Sequence, residues 1–259
     1  MSKLLLCLGP ARTGTTWLWE NLKQTHNTHP LKETFIWCEK PYEDFPLMYK
    51  GKPINISKEE YIDTVKQSTK PYMDFSLGWY QAYRDTSFIN KLNETFDMSV
   101  YIIIRDPYES WISMINHTSW YLHTKTLSGN AFDMQSKVFN TSEGVNHLQR
   151  KQLLWERRKD KDTSSLVYTQ YKYKDIITAW KNIGIEPILI DYNAIKNRDT
   201  NYLNNKFNVE IDWDYNATYS TEKNILIQDN TVHPDVKQWI YEYYQDDYSY
   251  LDTINDKYK

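Results

Sequence analysis

The chain is poor in cysteine, with only Cys7 and Cys38 among 259 residues. That scarcity excludes a disulfide-framed secreted scaffold and points to a reducing compartment, read here as the cytoplasm. A basic surplus is missing too: 31 Lys and Arg face 34 Asp and Glu, a formal net charge of -3. Nucleic-acid binders usually carry such a surplus, so no nucleic-acid partner is expected, and any polyanion affinity must come from a local cluster. Nor is there a long apolar run. Leu4-Leu5-Leu6-Cys7-Leu8 is far too short for a signal peptide or a membrane span. The six histidines show no ligand spacing, so no metal site is expected. His26 and His29 are expected in a solvated turn.

What is present is ordinary globular composition, with 40% hydrophobic and 25% charged residues. The length suits one α/β domain over 1–259, and no internal boundary is evident. Aromatics are heavy, with 22 Tyr and 10 Trp. They serve core packing or, alternatively, wall a cleft for a sugar or planar acceptor. Residues 3–9 read as a buried strand, with Cys7 a buried thiol, and 15–24 as a helix. Residues 29–53, punctuated by prolines, read as a loop excursion. A helix over 58–68 is capped by Ser57 with Glu60 three residues on. Strands follow at 99–104 and 186–191, the latter after a helix over 173–182. A last helix starts near Pro234, with Val236, Trp239, Ile240 and Tyr243 as its stripe. Alternating strands and helices predict a parallel sheet flanked by helices.

The first strand runs into Gly9-Pro10-Ala11-Arg12-Thr13-Gly14-Thr15-Thr16-Trp17-Leu18. Two glycines with four residues between them, at a strand–helix junction, have Walker-A spacing. A tight loop's amides and an open helix N-terminus converge on one spot and favour an anion. Thr15 stands where a Walker loop has lysine, and Arg12 is the loop's only cation. A triphosphate with Mg²⁺ would lose its usual lysine. A sulfuryl group on a 5′-phosphate needs less charge.

A second anion site is expected where the 99–104 strand ends in Arg105. Asp106 is a natural N-cap, Pro107 a natural first helical residue, and Glu109 the capping-box partner. Ser110, Ser113 and His117 should share one helical face; Tyr108, Trp111, Ile112 and Ile115 should form the packing face. Arg105 at a strand's carboxyl edge and Ser113 on the next helix could grip a phosphate from two sides.

Arg12-Thr13-Gly14-Thr15-Thr16-Trp17-Leu18 resembles the 5′-phosphosulfate loop of the nucleotide-dependent sulfotransferases, usually Lys/Arg-Ser-Gly-Thr-Thr-x-Leu. Arg105 and Ser113 match that family's Arg-x7-Ser motif for the 3′-phosphate. Lys32-Glu33-Thr34-Phe35 and Asp74-Phe75-Ser76 resemble segments of the carbohydrate-type branch, and 173–192 and 236–251 match loosely. The usual proline before the loop cation is displaced to Pro10. The glycine-rich nucleotide loop and the Lys-x-His segment of the small-molecule branch are absent; Ser220 to Asn224, with Lys223, could serve the nucleotide instead.

The resemblance implies a P-loop nucleoside-triphosphate-hydrolase-like α/β fold and 3′-phosphoadenosine-5′-phosphosulfate (PAPS) as donor, with the bisphosphate PAP as product. The acceptor would be a small molecule or glycan offering a hydroxyl or amine. Arg12, Thr13, Gly14, Thr15, Thr16 and Trp17 would hold the 5′ side and Arg105 with Ser113 the 3′-phosphate, Arg12 also neutralising charge during transfer. Glu33 is the implied base, with Asp74 and His117 as alternatives. Two other readings stay open: a P-loop kinase of small molecules, with Asp74 and Asp191 as its Mg²⁺ candidates, and a non-catalytic nucleotide-binding relative.

Overall fold

A computed structural model describes residues 2–9, 13–28, 48–49, 52–53, 57–75, 85–113, 137–138, 140–157, 172–213 and 232–258. In chain order these form β1 (Lys3–Leu8), α1 (Thr15–Leu22), β2 (Asn27–Thr28), β3 (Met48–Tyr49), β4 (Lys52–Pro53), α2 (Lys58–Lys66), β5 (Tyr72–Asp74), α3 (Thr86–Thr95) and β6 (Asp97–Ile104). Then come α4 (helical over 107–113), α5 (Thr141–Arg157), α6 (Tyr173–Asn182), β7 (Ile188–Asp191), α7 (Tyr192–Asn197), α8 (Thr200–Phe207), α9 (Pro234–Tyr243) and α10 (Gln245–Tyr258).

Contacts divide the chain into two compact units: Met1–Ile104 with Tyr173–Ala217 and Ile254–Lys259, and Arg105–Lys172 with Thr218–Thr253. The first unit holds a five-stranded sheet in the order β2-β5-β1-β6-β7. All its pairings are parallel. The apolar run Leu4–Leu8 explains why β1 lies at the centre, since a strand covered on both faces must be apolar at successive positions. Leu5 and Cys7 join Met73, Tyr101, Ile103 and Ile190 in one cluster, covered by Leu18 and Leu22 of α1, Ile195 of α7, and Leu203 and Phe207 of α8. On the opposite parity, Leu4, Leu6, Leu8, Val100, Ile102 and Ile104 are equally buried. Each such side chain contributes roughly 1.5–3 kcal/mol of burial.

The chain leaves β1 for β2 and β5 on one side, then crosses to β6 and β7 on the other. That reversal makes the carboxyl edge between β1 and β6 a topological switch point, where open α/β sheets take ligands.

Local signals account for many element ends. Ser57 and Glu60 form both halves of the expected capping box, each bond 3.0 Å long. Several elements were not anticipated: β5, α3 with its Asp85 cap, α5, and the pair α7 and α8. The expected loop over 29–53 is described only at its end, where Met48–Tyr49 pairs antiparallel with Lys52–Pro53. The expected terminal helix is two helices, because the chain leaves helical geometry at Tyr244. His26 departs from its expected solvated turn. It is buried, only 6% exposed, with Nδ1 3.0 Å from Thr25 Oγ1. Burial pushes its imidazole below the ordinary histidine value.

In the second unit α5 lies on α9. A side chain at Gly144 would strike the Lys137 carbonyl, and its Cβ would come within 3.1 Å of Val236 Cγ2, so glycine permits the approach. Lys172 ties this unit together. Its Nζ donates to the Tyr243 carbonyl at 2.6 Å, sits 3.4 Å from buried Asp247, and lies over the Tyr243 ring.

Candidate anion-binding site

The turn from β1 to α1 is shaped by its two glycines. A Cβ on Gly9 would overlap the Thr15 methyl and sit 2.9 Å from Thr13 Oγ1 and 3.1 Å from Ile103 Cδ1. The chain thus folds back on itself so closely that only glycine fits there. Gly14 is needed for a different reason. It is the N-cap of α1 with φ 81° and ψ 10°, a left-handed conformation that costs other residues strain. A Cβ there would also come within 2.7 Å of Ile195 Cγ2 on α7. Gly14 has no side chain with which to cap α1. Its first intrahelical bond runs from Leu18 N–H to the Gly14 carbonyl at 3.1 Å. The amides of Thr15, Thr16 and Trp17 therefore occupy the first-turn positions, whose partial positive charge favours an anion.

The threonines differ in exposure. Thr13 is fully buried and Thr15 nearly so, while Thr16 is half-buried. Trp17 is held by stacking on Trp213 at a centroid distance of 5.2 Å, and Trp213 Nε1 donates to Asn204 Oδ1 at 2.7 Å. Sequence reasoning had no means of finding Ile195 or Trp213 as supports of the turn, since both lie about 180 residues or more downstream. Arg12, Glu33 and His117 lie outside the described residues, as does Ser220–Asn224 with Lys223.

Arg105 is the first residue beyond β6. Its side chain is only 12% exposed, and Nε lies 3.8 Å from Glu109 Oε2. Asp106 caps α4 as expected, its Oδ1 accepting the Glu109 N–H at 2.8 Å. Tyr248 of α10 adds to this cap: its hydroxyl accepts the Tyr108 N–H at 3.1 Å and donates to Asp106 Oδ1 at 3.3 Å. Burial raises the Asp106 carboxyl above its ordinary range, and the Glu109 N–H bond opposes that only partly. Burial, then the nearby Asp106 charge, pushes the Tyr248 phenol well up, so it stays protonated. Tyr108 stacks on Tyr241 with Lys237 Nζ 4.9 Å from its ring centre.

Of the expected packing face of α4, Tyr108 and Trp111 are buried and Ile112 is half-buried. Of the other expected face, Ser110 is fully buried and Ser113 half-buried.

Asp74 ends β5 and is completely buried. Its charge, after burial, raises the phenol of Tyr61. Its charge also raises Tyr72. A completely buried carboxylate is less reachable for an incoming alcohol than an accessible one. Asp191 is engaged as the cap of α7, its Oδ1 accepting Asn193 N–H at 2.8 Å. Among the described residues, no group of three or more His, Cys, Asp or Glu could hold a metal ion, and no helix is long and apolar enough to cross a membrane.

A five-stranded parallel sheet flanked by helices, with a glycine-shaped turn at its switch point, defines an α/β fold. No protein-family model matches the sequence, and no curated protein does either. The fold does have a solved counterpart. The crystal structure of a sulfotransferase from Alicyclobacillus acidocaldarius matches with a TM-score of 0.61, covering 98% of this chain and 96% of that one at 12% identity. At that identity the likeness is one of fold.

Proposed function

We propose that the chain is a sulfotransferase that moves a sulfuryl group from PAPS to a hydroxyl or amine of an acceptor. The observation that carries this reading is the turn after β1: two sterically required glycines, the second in left-handed geometry at the start of α1, with Thr15 where a nucleotide kinase places lysine. The fold shared with a sulfotransferase along 98% of the chain supports it. The donor fits the residues present. The turn offers amides to one singly bridged anion, and Arg105 beyond the neighbouring strand offers a guanidinium to a second. Two anion sites suit a nucleotide phosphorylated at both 3′ and 5′ positions.

Bound PAPS supplies an activated sulfuryl group whose leaving group is a nucleotide bisphosphate. The amides of Thr15, Thr16 and Trp17, with the Thr16 hydroxyl and Arg12, would hold the 5′ side and balance charge growing on the bridging oxygen. Arg105 and Ser113 would fix the 3′-phosphate and so orient the nucleotide. Glu33 would take the acceptor proton. The complete burial of Asp74 favours Glu33 over Asp74 for that task.

The test is thermal denaturation with adenosine-3′,5′-bisphosphate and with ATP plus Mg²⁺. The bisphosphate is expected to stabilise the protein without any divalent metal, by about 2.7 kcal/mol at 100 times its dissociation constant. Mg-ATP should do so only weakly. Stabilisation by Mg-ATP alone would replace this reading with that of a kinase.

A further inference from the structure

Helix α4 follows Arg105 immediately, so whatever fixes its first turn also fixes the backbone from which Arg105 projects. Two devices meet there. Asp106 is a cap from within, taking the Glu109 N–H at 2.8 Å. Tyr248 is a cap from α10, 142 residues away in sequence from Asp106. Its hydroxyl closes a small ring, accepting from Tyr108 N–H at 3.1 Å and donating to Asp106 Oδ1 at 3.3 Å. Most N-caps use one side chain from the helix itself; here a phenol from another helix satisfies a second first-turn amide and orients the capping carboxylate. The ring of Tyr248 is fixed in turn against Tyr241, 5.3 Å away, whose other neighbour is Tyr108.

We infer that Tyr248 is a positioning residue for Arg105, holding the Arg105–Tyr108 turn so that the guanidinium meets the nucleotide's 3′-phosphate. This rests on the proposed reading in which Arg105 binds that phosphate. Tyr248 itself touches no ligand. The phenol is a donor throughout the neutral range, because burial and Asp106 hold its proton. Phenylalanine keeps the ring packing against Tyr241 and removes only the hydroxyl, leaving Tyr108 N–H and Asp106 without that partner.

The experiment is titration calorimetry of the full chain with adenosine-3′,5′-bisphosphate and with 5′-AMP, for wild type, Tyr248→Phe, Arg105→Ala and the double variant. Tyr248→Phe is expected to weaken bisphosphate binding by about tenfold, equal to about 1.4 kcal/mol, and AMP binding by less than about twofold. In the Arg105→Ala background, Tyr248→Phe should add nothing, because a group that acts through Arg105 has no effect once Arg105 is gone. A wild type that binds both nucleotides equally removes the role given to Arg105, and this inference with it. A wild type that prefers the bisphosphate, with Tyr248→Phe unchanged or equally weakened for both ligands, leaves Arg105 in place and overturns Tyr248 alone.

Discussion

Asp106 carries two roles whose energetics pull apart. Its oxygen is the acceptor that α4 needs, yet burial disfavours its charge and raises its pKa. A raised folded-state value means a stabilising contribution that is complete below the ordinary carboxylate range, near 3.9. That contribution is lost as pH rises through the folded value. Asparagine keeps the acceptor and discards the charge. Asp106→Asn should therefore melt no lower than wild type at pH 7, and its advantage should shrink as pH falls toward 4. Asp106→Ala, which loses the cap, should be destabilised by about 1 kcal/mol. Melting curves of both variants across pH 4–7 check this; a variant–wild-type difference independent of pH would remove burial of the charge as its cause. The same residue shows what was legible at this scale. Asp106 as cap was readable because an N-cap is a local signal within three residues. His26 was misplaced because its burial depends on partners distant in sequence, which no local pattern reveals. Tyr248 went unnoticed for the same reason.

At the scale of the element, the turn from β1 to α1 is the feature that sequence spacing described best. Gly9 and Gly14 stand where Walker-A spacing requires them, and each has a steric reason to be glycine. The reasons differ, and only the structure separates them. Gly14→Ala should cost about 1–2 kcal/mol for left-handed geometry alone, with the 2.7 Å approach to Ile195 adding to it. Urea unfolding of that variant measures the sum. Gly184 is a control: it too has positive φ, at 85°, but nothing lies within 4 Å of its Cβ position. Gly184→Ala should therefore be the milder change, and equal losses at both sites would mean that Ile195 yields without cost. Elements were readable where the signal was dense. β1 and β6 are apolar runs, and α2 has a complete capping box. β5 is three residues long, too short for any period to show. Helix α5 carries Gly144 in its first turn, and glycine is a poor helix former, so its start gave a mixed signal.

For the whole molecule, neither compact unit is a continuous stretch of chain. The sheet of the first unit draws β7 from beyond Lys172, and β7 covers the flank of β6 through the pairs Tyr101–Ile188 to Ile104–Asp191. A chain ending at Lys172 would leave β6 as an open edge and strip Ile190, Ile195, Leu203 and Phe207 from the core cluster. That truncation should show no cooperative thermal transition by circular dichroism. A sharp transition near that of the full chain would mean that residues 1–172 fold without β7.

The central place of β1 also has a consequence during synthesis. Leu4–Leu8 leaves the ribosome before any other part of the sheet, but its two neighbours begin at Tyr72 and Asp97. At about 5–20 residues per second, the nascent strand must wait roughly 5–20 seconds for its second partner. Until Asp74 has emerged this apolar segment has neither edge paired, and until β6 follows one edge stays open. Expression yield should accordingly follow the availability of a holding chaperone at the ribosome exit more closely than it follows the stability of the finished fold.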